Sequence, residues 1–252
     1  MGSIRFFDDQ MDGRGVHCAV VMDLVGHDLP VETTGPALLA SALGVGQEDI
    51  ERLKEIVFMT GAESHAELPG LVRATLGWLP LRLVAALNRY IGDMSDHHVF
   101  RMAGVPYLFF SCGRWPHYHQ PTDTPEKLNF EKMLGLAGFL EGLVGRLDQA
   151  GLDGPEAEAV QQLVLGGVGE GEPDGGGEEA AATLAAARPF DPMAQRDRSQ
   201  TPDDHSLQFE IETLRTALGK VFPLLALMLG KSDLSTRRDM DAVADLLLRM
   251  GL

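Results

Sequence analysis

Residues 105–147 read VPYLFFSCGRWPHYHQPTDTPEKLNFEKMLGLAGFLEGLVGRL, a strand, a stiff loop and a long helix in succession. VPYLFFS (105–111) is a short, continuous apolar run, as expected of a strand buried on both faces. Pro116 and Pro121 stiffen the excursion that follows it. Asp123 or Thr124, Pro125 and Glu126 then resemble a capping box with proline in the first turn, which announces a helix. Within that helix Phe130, Met133, Leu134, Ala137, Leu140, Leu143, Val144 and Leu147 recur at helical spacing and predict the buried stripe.

The same alternation extends towards the amino terminus. HCAVVMDLVG (17–26) and IVFMTG (56–61) read as buried strands, and LRLVAAL (81–87) as a third. EDIERLKE (48–55), AELPGLVRATLG (66–77) and SDHHVFRMAG (95–104) read as helices between them. Strands alternating with helices predict a three-layer α/β fold with a mostly parallel sheet of at least four strands over residues 1–149. In such sheets ligands bind beyond the carboxyl ends of the strands. The loops after Asp23 and after Ser111 are therefore the places to look for function.

Residues 150–204 change character. The run GGVGEGEPDGGGEEAAATLAAARPFDP is rich in Gly, Ala, Pro and acid, and predicts a flexible acidic linker. Periodicity returns in 205–252, where Leu207, Ile211, Leu214 and Leu218 suggest one helix. Met240, Val243, Leu246, Leu247 and Met250 suggest another. Together they predict a helical appendage that docks on the main domain, on a partner or on a second copy.

The net charge of −16 over 252 residues excludes nucleic acid as the expected partner, because phosphate is gripped by Lys and Arg. The two cysteines, Cys18 and Cys112, lie in or beside apolar runs and predict buried thiols rather than a disulfide. The longest apolar run, VFPLLALML (221–229), is about half of what spans a bilayer. No apolar signal segment opens the sequence, so the chain as written reads as soluble. An exported or periplasmic full-length form is compatible with it, and localisation stays open.

Three places carry chemistry-bearing residues. Asp23 ends a hydrophobic strand, where an unpaired charge is costly, so it is expected to cap a turn, to be paired or to bind a metal. Asp96 and His97 form an acid–imidazole pair at a helix start, although N-capping by Ser95 or Asp96 also accounts for that segment. Tyr118 and His119 sit on the stiff loop at the mouth of the sheet, where an imidazole metal ligand beside a phenol donor is one reading and incidental surface residues the other.

Taken together, VVMDLVG, SDHHVFRMAGVPYLFF and HYHQPTDTPEKLNF closely resemble the second half of the zinc-dependent aminopeptidases, metallopeptidase family twenty-eight, which has glutaminyl cyclase as a relative. The resemblance covers roughly residues 2–148. It implies a zinc exopeptidase-like hydrolase, a protease acting on a peptide or small amide through a water held by two zinc ions. Asp23 matches the terminal carboxylate ligand of one zinc and His119 the imidazole ligand of the other. Tyr118 matches the phenol that polarises the scissile carbonyl, and Asp96 and His97 match a segment that supports the site. The family's His-x-Asp pair, its Asp-Asn loop and its Glu-Glu pair, which supplies the general base, would all precede residue 1. The resemblance therefore predicts an N-terminally truncated domain, with Met1 an internal methionine and zinc weakly bound or absent. The alternatives are a non-catalytic remnant that serves as a binding or assembly module, and a cyclase-like acyltransferase working in the same pocket.

Overall fold

The computed structural model describes residues 16–30, 44–77, 81–152 and 204–249. Its elements are β1 (Ala19–Met22), α1 (Gln47–Glu51), β2 (Val57–Thr60), α2 (Leu68–Leu76), β3 (Leu83–Ala85), α3 (His97–Met102), β4 (Tyr107–Ser111), α4 (Phe130–Gln149), α5 (Leu207–Leu218), α6 (Phe222–Met228) and α7 (Arg237–Arg249). The proposed linker lies outside the described residues, apart from its ends.

The four strands form one sheet in the order β1-β4-β2-β3. β1 runs parallel to β4, with Ala19 opposite Tyr107 and Met22 opposite Phe110. β2 and β3 are likewise parallel, but β2 meets β4 antiparallel, with Phe58 opposite Ser111. The sheet is thus mixed where a mostly parallel one was expected. Strands buried on both faces carry no alternation that reveals direction, so VFMT and YLFFS read the same either way. The consequence is functional: β1 and β4 deliver their carboxyl ends to one edge, and β2 and β3 deliver theirs to the opposite edge.

Alternate residues divide between two faces. Val57, Met59, Leu83, Ala85, Leu108 and Phe110 pack against Leu68 and Val72 of α2 and Leu136, Phe139, Leu143 and Leu147 of α4. Val84, with Phe58 and Ile56 beside it, packs on the other face against Ile211 and Leu214 of α5, Phe222 and Leu225 of α6, and Met240 and Val243 of α7. The C-terminal helices therefore make the third layer of this α/β domain. The predicted helices over 207–218 and 237–249 are present, and α6 adds one from the apolar run at 221–229. α5 also closes the β3 edge, where the Thr213 hydroxyl accepts a hydrogen bond from the Ala85 amide at 3.0 Å.

The buried stripe of α4 differs from the expected one. Leu143 and Leu147 are inside as predicted, but Leu134 is 75% exposed, Phe130 63% and Val144 51%. Lys132, Leu136 and Phe139 point inward instead. The helix is apolar almost all round, so its periodicity supports more than one face. Its first turn makes the choice. Asn129, not the Thr124 segment, caps the helix by accepting from the Lys132 amide. The Lys132 amine reaches inward to the carbonyls of His27 (2.8 Å) and Lys54 (3.0 Å). Pro125–Lys127 forms only a short 3-10 turn ahead of that cap.

Candidate functional site at the β1–β4 edge

Two chain segments leave the sheet side by side at this edge. The Asp23 amide donates to the Phe110 carbonyl at 3.1 Å, and the Leu24 carbonyl accepts from the Cys112 amide at 2.9 Å, which continues the β1–β4 ladder past its last strand residues. Leu24 takes a left-handed conformation (φ +53°) to make that turn. Gly26 follows with φ +99°, a conformation that L side chains rarely adopt, and a Cβ there would also have to displace the Met133 side chain, whose sulfur would stand 2.7 Å away. The Asn129 amide then donates to the Gly26 carbonyl at 2.7 Å, and its side-chain amide donates to Asp28 at 2.9 Å. The start of α4 thereby clamps the segment that carries Asp23.

The half-buried Asp23 carboxylate accepts a hydrogen bond from the Ser95 hydroxyl at 3.0 Å. Ser95 belongs to the Ser-Asp-His segment, and it is this serine that reaches the candidate ligand. Asp96 is exposed at the N-cap position of α3 and makes no capping hydrogen bond with its side chain. His97 is buried in the core, stacked on Phe109 (4.4 Å between centroids) and Tyr107 (5.7 Å). Its Nε2 pairs with the Gly92 carbonyl at 3.2 Å, and burial lowers its pKa, which favours the neutral ring. Beside it, His98 Nδ1 meets the Asp93 carboxylate at 3.0 Å. Burial alone would raise the pKa of Asp93, but the hydrogen-bonded guanidinium of Arg101 outweighs it and holds the carboxyl below its usual range.

On the other segment, Trp115 anchors the loop. Its ring stacks on the buried His27 at 4.5 Å, and its Nε1 donates to Asp123 at 2.8 Å. His117 packs edge-on against Trp115 and pairs with the Thr122 hydroxyl at 2.8 Å. His117 is thus a structural part of the loop. Tyr118 and His119 project at its tip, with ring centroids 3.8 Å apart and both side chains exposed. His119 has φ +56°, a left-handed conformation that a tight turn imposes on a non-glycine residue. An anchored loop with two exposed functional rings at its tip is built to present them.

Asp23 and His119 are the carboxylate and imidazole types that zinc accepts. Two donors are fewer than the three or four protein ligands a zinc ion takes, and no group of three His, Cys, Asp or Glu that could hold a metal occurs among the described residues. The described residues therefore do not form a zinc centre by themselves.

One titratable group at the opposite edge escaped sequence reasoning. Glu63 follows β2, where its carboxylate accepts from the amides of Asn88 (2.6 Å) and Gly61 (3.0 Å). Burial pushes its pKa up to about 7, against the pull of those amides and with help from the Glu210 carboxylate. The only signal in the sequence is a carboxylate two residues past a strand-ending glycine.

Comparisons of the chain with protein-family models, with curated proteins and with solved structures find no match.

Proposed function

We propose that this chain carries one wall of the site of an aminopeptidase-like zinc exopeptidase, a hydrolase of peptide or small amide bonds. Asp23 and His119 serve as ligands to two different zinc ions, and the remaining ligands come from beyond the described residues. The observation that supports this reading is the in-register parallel pairing of β1 and β4. It brings the segment carrying Asp23 and the loop carrying Tyr118 and His119 out of the sheet at one edge. The Tyr118 phenol is 46% exposed and so is accessible to donate a hydrogen bond to the carbonyl oxygen of a bound amide. Ser95 acts behind Asp23, holding its carboxylate in one orientation. His97 and Asp96 support the site only through the placement of α3.

Zinc titration of the purified chain against a chromophoric chelator tests this reading. Asp23→Ala and His119→Ala are each expected to weaken zinc binding about tenfold or more, the loss of one ligand from a sparse set. His98→Ala is expected to leave it unchanged. Zinc affinity indifferent to both Asp23 and His119 overturns the assignment. A second reading, a non-catalytic assembly module, is favoured by one observation, the exposed apolar face of Phe130, Leu134 and Val144 on α4. If Asp23→Ala and His119→Ala leave zinc affinity unchanged, that reading takes precedence.

A further inference from the structure

α4 turns an apolar row outward that the described residues leave uncovered. Phe130, Leu134, Ala137 and Val144 are all exposed. With Glu141 they follow one another at spacings of four, three, four and three residues, the seam pattern of paired helices. A Cβ placed on Gly145, next to Val144, would meet no atom within 4 Å, so a neighbouring side chain can come close there. Charges flank the row in a fixed order, Lys127 and Glu131 at its start and Arg146 and Asp148 at its end. Glu131, Arg146 and Asp148 form no ion pair with any described residue, and Lys127 donates to uncharged groups, the Thr122 carbonyl and the Thr124 hydroxyl.

We propose that this face binds the same face of a second copy of the chain, the two α4 helices running antiparallel about a two-fold axis at Ala137. In that register Phe130 stands opposite Val144 of the second copy, with the open surface of Gly145 beside it. Lys127 falls beside Asp148 of the second copy, and Glu131 lies within one turn of its Arg146, a span that these long side chains bridge. The two-fold axis makes each pair twice. A parallel arrangement sets Glu131, Glu141 and Asp148 each against its own counterpart, so the charges select the antiparallel one. The association is weak for two reasons. Glu141 interrupts the apolar row, and a contact along one helix from each copy buries less than the roughly 1,200 Å² at which standard interfaces begin. At about 5 µM the chain is therefore a monomer, and unfolding or zinc titration at that concentration reads α4 uncovered. The pairing gives the assembly reading its partner, and it holds whether or not the chain binds zinc.

The test is sedimentation equilibrium of the full chain. The mass should be that of one chain, 27.3 kDa, at about 5 µM and approach twice that value at about 500 µM. Leu134→Glu should weaken the association about tenfold or more, because it sets a charge into the seam. Its near-ultraviolet circular dichroism should match the parent's, since the side chain lies outside the core. Glu131→Arg and Arg146→Glu should each weaken the association several-fold by bringing like charges together. An equimolar mixture of those two variants should recover the parental association, because every pair across the axis then regains opposite signs. That recovery needs contact between two chains, so no change within one chain imitates it. The proposal is overturned by a single-chain mass at every concentration, by association that Leu134→Glu leaves unchanged, or by a mixture that associates no better than either variant alone. Zinc affinity measured at about 5 µM does not depend on any of these results, so the two readings fail separately.

Discussion

Replacing Glu63 by glutamine should change how stability depends on pH, and the size of the change follows from its surroundings. In the folded chain the carboxyl titrates at about 7, against an ordinary value of 4.5. A raised folded pKa means that the folded state holds its proton more tightly than the unfolded state. The favourable contribution is complete below the unfolded pKa and is lost as pH rises through the folded one. The full difference corresponds to about 3 kcal/mol, at about 1.4 kcal/mol per pH unit. The isoelectric point near 4.8 makes the acid end of that window unsuitable for soluble work. Between about pH 5.5 and about pH 8 the loss still amounts to about 2 kcal/mol. Glutamine does not titrate, and its amide nitrogen cannot accept from one of the two backbone amides, so the variant carries a constant offset of about 1 kcal/mol. Urea unfolding at several pH values should therefore give a difference between variant and parent that grows in the variant's favour by about 2 kcal/mol across this range. A second variant sharpens the test: Glu210→Gln removes the neighbouring negative charge and should shift the midpoint of the Glu63 titration to lower pH. A difference curve that stays flat from about pH 5.5 to about pH 8 refutes the reasoning, whatever its absolute level.

Phe139 is fully buried and meets Phe110 edge-to-face at 5.9 Å, so Phe139→Ala should cost about 3–5 kcal/mol in chemical denaturation. Leu134→Ala, on the exposed side of the same helix, should stay within about 0.5 kcal/mol, and a larger cost would show that this face is covered in solution. The buried Glu210 carboxylate pairs with Arg237 at 2.5 and 3.0 Å and accepts from Ser206 at 2.7 Å. Arg237→Ala should cost about 3–5 kcal/mol by leaving that charge unpaired, while Glu210→Met combined with Arg237→Met should cost distinctly less. Ser95→Ala should destabilise by only about 1 kcal/mol, and near-ultraviolet circular dichroism should stay unchanged, because the hydroxyl orients Asp23 without supporting the core.

Strand existence was legible because burial on both faces leaves continuous apolar runs, and 56–61, 81–87 and 105–111 each contain a strand. Strand direction was not legible, for the same reason. A strand with one wet face states its register through alternation; YLFFS, with every residue buried, states nothing. The face of α4 failed in a related way. Its stripe was drawn from apolar spacing alone, and the polar anchors Asn129 and Lys132, which orient the helix through the carbonyls they reach, carry no periodic signal. The C-terminal helices were readable as helices, and their role as the covering layer of the sheet follows from the apolar residues of the second face, Val84, Ile56 and Phe58.

For the candidate site, chain segment was a better guide than residue type. Asp23 and the Tyr118–His119 tip stand on the segments that the sequence singled out, because a strand end and a proline-bounded loop both fix backbone position. His97 shows the limit of that reasoning: the imidazole beside an aspartate at a helix start is a core residue stacked on two aromatic rings, and the segment reaches the site through Ser95 instead. A histidine's chemistry depends on which side of its helix faces the sheet, and three letters of sequence do not say. The split of carboxyl ends between two edges has the larger consequence. It places Asp23 and His119 on one edge while Glu63, the carboxyl with a pKa near neutrality, stands on the other. A neutral-range carboxyl is the usual mark of a general acid or base. Here both its oxygens are taken by backbone amides, across the sheet from the metal-type residues, so Glu63 cannot serve as the base of that site. An exopeptidase built on this edge needs a base other than Glu63, and supplying Glu63 with a better or worse partner should alter stability while leaving zinc affinity untouched.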